Sequence, residues 1–373
     1  MTAEGNPARF QVIHPEARQS ERLNSWLQAL VSRNGSDLLL VPEAPASIRV
    51  DGVVVPLPET ALTGDDVEAA IFPALAPHSR EDYRNRGIGD SSYKVDGFGR
   101  FRINLHRERG RTAATVRALP SRVPFLHELH LPPGVEALAT IRRGLVVIGG
   151  ATGSGKTTTL AALVNEINRR EARHIVTIED PIEYEHSHQS SLVEQVEIGI
   201  DAPDFPTALR SALRQAPDVI VVGEMRDSET ARIALAAGET GHLVFTTLHT
   251  TDAASTVSRI GDYFPLERQH SVRAEMAMAL SAMLTQTLIP GKNGGRIPAA
   301  ELLMVGYGAR QHIRKNALQH LHQEITITRK FGSFTLEESL AQLVVQGELN
   351  REEALTRAIH ADDLETLLKG KGL

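Results

Sequence analysis

From about residue 135 onward, short apolar runs alternate with longer stretches of helical spacing. Leu145-Val146-Val147-Ile148 is one such run, and the segments 145–149, 174–179, 218–223 and 243–247 repeat the pattern. Runs of this length suit strands buried on both faces. Alternating with helices, they predict a mostly parallel sheet between two helical layers. A longer helix is expected over 266–288, where Val272, Met276, Ala279, Leu280, Met283 and Leu284 recur at helical spacing, opening a helical C-terminal tail.

The first 117 residues pattern differently. Residues 24–31 place Trp26, Leu27, Leu30 and Val31 on one helix face, and 36–40 and 46–55 read as strands. Asp51-Gly52 breaks the second of these, as a two-residue hairpin turn requires. The stretch from Tyr93 to Arg117 alternates as two more strands, turning near Gly97 and Gly99. Together these predict a small α+β domain over 1–117, with a polar, loosely ordered start over 1–20. Residues 118–134 hold Pro120, Pro124, Pro132, Pro133 and Gly134 and are expected to be an interdomain linker. Residues 135–373 then form the α/β domain and its tail.

The chain has 373 residues, enough for two cores, and no cysteine, which excludes a disulfide framework, a zinc ribbon and a thiol nucleophile. No apolar run approaches the roughly 18 residues of a membrane span. Glu4, Arg9, Glu16 and Arg18 interrupt the start where a signal peptide would be apolar. A cytoplasmic enzyme is the expectation. A net charge of −6 and 4% aromatic residues argue against a nucleic-acid binder, which needs a basic surface and stacking platforms.

The first apolar run feeds Gly150-Ala151-Thr152-Gly153-Ser154-Gly155-Lys156-Thr157-Thr158, which has the G-x-x-x-x-G-K-[ST] spacing. The glycines let the backbone curl so that N–H groups face phosphate oxygens. Lys156 then reaches the β/γ-phosphates, the Thr157 hydroxyl ligates Mg²⁺, and a helix starting near Lys156 adds its positive end. This segment binds a nucleoside triphosphate, ATP, with Mg²⁺ as cofactor.

Further candidate chemistry lies where the other strands end. After the 174–179 strand come Glu179, Asp180 and Glu183, acids that can hold Mg²⁺, partly through its water shell. The run Asp218-Val219-Ile220-Val221-Val222 ends in Gly223-Glu224. The aspartate usual at such a strand end is replaced by Gly223, so metal-holding shifts to the 179–183 acids, and Glu224 orients or deprotonates the attacking water. Arg226 reads equally well as a salt-bridge partner or a catalytic group. His242 and His249 bracket the 243–247 strand and are candidate γ-phosphate sensors. The pairs His186/His188 and His320/His322 read as solvated surface histidines.

The succession G-A-T-G-S-G-K-T-T-T-L, I-E-D-P-I-E-Y, P-D-V-I-V-V-G-E-M-R-D-x-E-T and T-G-H-L-V-F-T-T-L-H-T-x-D-A resembles the type IV pilus and type II secretion ATPases, above all the pilus retraction motors. The resemblance implies a PAS-like N-terminal domain, a RecA-like C-terminal P-loop domain and a homo-hexameric ring. It also implies a motor at the cytoplasmic face of the inner membrane, associated with it through a pilus platform protein. In the family, 150–158 is the Walker A loop, 179–183 the Asp box, 218–224 the Walker B strand and 242–249 the His box. Two departures stand out. Ser36-Asp37-Leu38-Leu39-Leu40 replaces Ser-Asp-Leu-His-Leu, and Gly308-Ala309-Arg310-Gln311-His312 replaces an Ala-Ile-Arg-Asn-Leu-like motif while keeping its arginine. An accessory pilus motor and an extension or secretion ATPase therefore stay open, although the missing cysteines argue against the tetracysteine insertion of the latter. A RecA-like nucleic-acid translocase and a non-hydrolysing regulator are the alternatives of other classes.

The N-terminal domain adds Arg100, Arg102, Arg107, Arg109, Arg111, Arg117 and Arg122 against the single Glu108 in the same stretch. This concentration calls for an anionic partner, because the small domain is expected to lack acids to pair with it. The resemblance implies that N-domain arginines neutralise charge developing on the γ-phosphate. Arg102 and Arg117 are the candidates, since Arg109 and Arg111 flank a turn at Gly110.

Overall fold

Helix α1 (Pro15–Ser32) opens a computed structural model that describes residues 15–371 except Asn293, with side chains from Glu21 onward. The expected loose start over 1–14 lies outside the described residues, and the helix takes in 15–20. The chain divides into two compact units, Met1–Ser121 and Arg122–Leu373.

In the first unit α1 is followed by β1 (Asp37–Leu40), β2 (Ser47–Val50), β3 (Val53–Pro56), α2 (Gly64–Ile71), α3 (Pro77–Arg86), β4 (Ile88–Val95), β5 (Gly99–Glu108) and β6 (Arg111–Ala118). Leu23, Trp26, Leu27 and Leu30 recur along α1 and are buried against a six-stranded sheet of order β3-β2-β1-β6-β5-β4. All of its pairings are antiparallel. Asp51 and Gly52 take positive φ (49° and 82°), the conformation a tight β2–β3 turn needs. Period-two alternation sets Phe101, Ile103 and Leu105 of β5 into the core and Arg102 outside. Three strands occupy 88–118 where two were expected, because Gly110, at φ 78°, makes a second reversal. Thr63 and Asp66 cap α2 reciprocally.

The second unit holds β7 (Gly144–Gly149), α4 (Lys156–Arg170), β8 (His174–Glu179), β9 (Leu192–Glu197), α5 (Phe205–Ala212), β10 (Val219–Val222), α6 (Ser228–Glu239) and β11 (Leu243–Leu248). Next come α7 (Ala253–Asp262), α8 (Leu266–Ala279), β12 (Leu280–Pro290), β13 (Arg296–Met304), α9 (Tyr307–Arg314) and α10 (Leu321–Ile327). Helices α11 (Leu336–Val345), α12 (Arg351–Arg357) and α13 (Ala361–Gly370) close the chain. The sheet runs β13-β12-β7-β11-β10-β8-β9, parallel throughout except for the β12–β13 hairpin. β11 therefore separates the strand that feeds the glycine-rich loop from the strand that ends in Gly223-Glu224. Apolar cores fill both faces of the sheet. Among the described residues no helix is long and apolar enough to cross a membrane.

One expectation fails here and another is met only in part. The helix expected over 266–288 stops at Ala279, and 280–290 is a strand between β7 and β13. Leu280, Met283 and Leu284 are buried, with Met283 facing one core and Leu284 the other. A strand buried on both faces loses its period of two, and apolar residues at helical spacing then arise by coincidence. The boundary between the two units falls within 118–134, where the interdomain connection is expected, yet the segment is not irregular throughout. Short 3₁₀ turns at Leu126–Leu129 and Pro133–Thr140 bury Leu126, Val135 and Leu138 in the same core cluster as α4. Proline at the first position of such a turn supplies the φ it needs and lacks an N–H that would go unpaired there.

Candidate nucleotide site

The loop after β7 has the geometry its sequence implies. Gly150, Gly153 and Gly155 sit at φ 151°, 76° and 88°, where other residues are strained. A Cβ on Gly150 would lie 2.3 Å from Ser154 Oγ, and one on Gly155 2.9 Å from Gln286 Nε2. Ala151, Thr152 and Gly153 form an exposed crest, and Thr157 and Thr158 follow in the first turn of α4, whose N-cap is Gly155. Lys156 lies buried beneath the crest, its ammonium donating to the carbonyls of Gly150 and Ala151 at 2.9 Å each. Burial lowers its pKa, against the opposing charges of Glu224 and Glu183. Both acids are thus close enough to act on the lysine electrostatically.

Glu224 lies two residues past the end of β10. Arg226 Nη2 meets one of its carboxylate oxygens at 2.8 Å and His249 Nε2 the other at 3.2 Å. Burial raises the Glu224 pKa, but the Arg226 hydrogen bond and charge, then His249 and Lys156, outweigh it and hold the carboxyl below its ordinary range. Glu224 is therefore ionised at neutral pH, as a base must be. Gly223 lies close against β8: a Cβ there would sit 3.2 Å from the Ile178 carbonyl oxygen, a tight approach, and 3.8 Å from Glu179 Cγ. The space of the usual aspartate thus borders Glu179. The Glu179 pKa is raised by burial although Thr177, Gln195 and the Glu183 N–H all donate to its carboxylate. These donors are neutral, so a nearby cation would restore the charged form. Asp180, next along, is exposed.

No three histidine or acidic side chains among the described residues converge to hold a metal unaided. Mg²⁺ fits this arrangement, because it binds through one or two protein oxygens plus phosphates and water. Thr157, Glu179 and Asp180 are the residues that would serve it, with Glu183 beside them.

Not every expected residue belongs to this cluster. His242 precedes β11 whereas His249 follows it, so six strand residues, roughly 20 Å, separate them. His242 lines a separate cavity of about 630 Å³ with Arg142, Arg173 and Asp218, at the opposite end of the sheet from the glycine-rich loop. Its reading as a γ-phosphate sensor beside His249 is therefore corrected. In the first unit Arg102 and Arg117 face each other across β5 and β6. Arg102 pairs with Asp90 at 3.7 Å and Arg117 with Asp37 at 3.0 Å, while Arg111 meets Glu43 and Glu108. The domain does supply acids for its arginines, contrary to expectation, because the partners lie far away in sequence. His186 is half-buried rather than solvated, and burial lowers its pKa to about 4. His188 accepts from the Val193 N–H, and His322 pairs with Glu301.

Sequence reasoning missed the groups that brace the site. Gln286, on the strand taken for a helix, accepts from the Thr159 hydroxyl at 2.8 Å and donates to the Ser154 carbonyl at 2.6 Å. Thr247 donates to the Gly223 carbonyl and Tyr263 to that of Met225, both at 2.7 Å, fixing the Glu224 loop to β11 and α7. A glutamine inside an apolar run was the available signal for the first. Nothing local marks the others.

Residues 131–329 match the family described as type II/IV secretion system protein. The chain is 41% identical to the type IV pilus retraction ATPase PilT of Pseudomonas aeruginosa, over 89% of its own length and 97% of PilT. It is 37% identical to the type IV pilus ATPase PilU of the same organism, over 92% of this chain and 90% of PilU. A crystal structure of the pilus retraction motor PilT with bound ADP superposes with a TM-score of 0.83 at 39% identity, covering 91% of this chain and 98% of that one. With its P-loop, its Gly-Glu strand end and its His249 strand end assembled at the carboxyl ends of three adjacent parallel strands, the chain is a P-loop ATPase of the type II/IV secretion system protein family.

Proposed function

We propose that this chain is a motor that hydrolyses ATP to retract type IV pili, working as a homo-hexamer on the inner-membrane platform protein at the cytoplasmic face. One observation carries the reading. The loop, acids and histidine of the site are complete in a chain that spans nearly the whole of a retraction ATPase at 41% identity. Lys156 and the loop N–H groups bind the phosphates, and Glu224 accepts the proton of the attacking water. His249 holds Glu224 at its other oxygen, 3.2 Å away, and is the candidate γ-phosphate sensor. Mg²⁺ neutralises phosphate charge when bound, and Thr157 with the 179–183 acids holds it.

The first unit reads as PAS-like, and its antiparallel order, with β1 and β6 central and a hairpin at one edge, supports this. Arg102 and Arg117 lie directly opposite each other on an exposed face, each with one acid beside it, Asp90 and Asp37, and with much of its guanidinium open to solvent. They remain the candidates to neutralise the γ-phosphate in the assembled ring. An accessory motor is the second reading, favoured by the near-equal identity to PilU and by the altered 308–312 segment.

Two experiments test the proposal. Lys156→Ala should abolish nucleotide binding and turnover, whereas Glu224→Gln should retain MgATP and stall hydrolysis. Equal loss of binding in both would remove Glu224 from the role of base. A deletion strain should be hyperpiliated; bald cells would mean extension, and normal piliation with weakened retraction under load an accessory role.

A further inference from the structure

Glu224 is gripped at both carboxylate oxygens, and the two grips differ in origin. His249 comes from the end of β11, and its role follows from the motif. Arg226 lies two residues from Glu224 in the same loop, is 62% exposed at its side chain, and has no evident structural duty. It is not needed to start α6, because Asp227 caps that helix alone, accepting from the Glu229 and Thr230 N–H groups at 2.9 and 2.8 Å. It is not needed to fix the loop either. Met225 is buried, its N–H donates to the Thr247 carbonyl, and its own carbonyl accepts from Tyr263. What Arg226 does touch is Glu224 Oε2, at 2.8 Å, with the charge of Asp180 close enough to reinforce its own.

We propose that Arg226 is a positioning residue for ATP hydrolysis, holding Glu224 Oε2 so that the carboxylate plane and one free lone pair stay aimed at the attacking water. The inference rests on Glu224 as the base. A carboxylate on a Cα–Cβ–Cγ stem rotates about three bonds, and His249 alone fixes one oxygen while leaving a swing about that contact. A second contact on the other oxygen removes the swing. Each oxygen carries two lone pairs, so both grips leave a proton-accepting site open. Arginine suits this task because its rigid planar fork holds a carboxylate with little further entropy loss, and because it never gives up its proton to compete with the water. The effect belongs to the chemical step. Arg226 should add little to ATP binding, since the phosphates are held by the loop, Lys156 and Thr157.

The test uses the full-length chain and steady-state ATPase kinetics. Arg226→Ala should lower kcat by about tenfold or more, a fraction of what a general base contributes, with KM for ATP within about twofold of the parent. Arg226→Lys should recover part of the loss, as a single ammonium donor can hold one oxygen but not fix its plane. Thermal unfolding midpoints should be unchanged in both. In the Glu224→Gln background, Arg226→Ala should cost nothing further, because there is no base left to position. An unchanged kcat, a loss carried by KM, no recovery with lysine, or an additive loss in the double variant would each overturn the proposal. If Glu224→Gln itself keeps full turnover, the base assignment has failed instead, and the two failures are told apart by that single variant.

Discussion

Gln286 gives the sharpest check on how the sheet supports the nucleotide loop. Its side chain is 6% exposed and bridges the Ser154 carbonyl to the Thr159 hydroxyl, tying the loop and the start of α4 to β12. Replacing it with leucine keeps most of the volume and removes both hydrogen bonds. Each is worth about 1 kcal/mol net, and the stranded Thr159 hydroxyl and Ser154 carbonyl add desolvation costs, giving roughly 2–4 kcal/mol. A shift of 1 kcal/mol moves the midpoint of a domain this size by about 2–4 °C, so unfolding of the second unit should occur roughly 4–16 °C lower. Thr159→Val removes one of the two bonds from the other side. In a thermal or urea double-mutant cycle, Gln286→Leu and Thr159→Val should therefore couple by about 1 kcal/mol. Nucleotide affinity, followed with a fluorescent ATP analogue, should weaken for ATP and ADP alike, because the bridge acts on the loop and not on the γ-phosphate. An unchanged midpoint, or a coupling energy indistinguishable from zero, would refute the bracing role of β12.

Two further outcomes follow from the site acids and the tail. Glu179→Ala and Glu183→Ala should raise the Mg²⁺ concentration at half-maximal ATPase rate by about tenfold, the order seen for residues that support a metal through water, with a smaller change in KM for ATP; an unchanged midpoint in both would leave the acids merely solvated. His322 pairs with Glu301 on β13, and that bond, with the charges of Glu337 and Asp363, raises its pKa above 6.5 against the effect of burial. A raised value means that the stabilisation is fully present below pH 6.5 and fades as pH rises through the folded-state value. Hydrogen exchange in α11–α13, corrected for intrinsic rate, should thus be less protected at pH 8 than at pH 6, and His322→Gln should flatten the difference.

The parts of the fold legible in the sequence were those whose signals are local. Four parallel strands, the hairpin at Asp51-Gly52 and the phosphate-binding loop each declare themselves within ten residues. What escaped depends on distance. Leu280 to Leu288 reads as helix because its apolar positions are decided by two cores, one on each face of β12, and not by its own period. The prolines at 132 and 133 looked like linker because proline ends regular structure, yet here proline starts a turn that packs under α4. The arginines of β5 and β6 looked unpaired because Asp37 lies 80 residues from Arg117 and meets it only through the β1–β6 pairing. His242 and His249, in turn, could be placed at opposite ends of one strand from spacing alone. Six residues of extended chain span the sheet, so no fold of that strand lets both reach one phosphate.

Gly223 also limits how this site can change over evolutionary time. A side chain at 223 would stand beside Glu179, its Cβ 3.4 Å from the Glu179 Cα and 3.8 Å from its Cγ, so the two positions are neighbours. A single exchange of Gly223 for aspartate would push a side chain against the Ile178 carbonyl and set a second carboxylate beside one that burial already disfavours in its charged form. Loss of Glu179 first would leave Asp180 and Glu183 as the acids after β8. An exchange at either position therefore changes the charge or the packing beside the other, and the two positions are coupled. A change at Gly223 should accordingly be read together with the residue at 179.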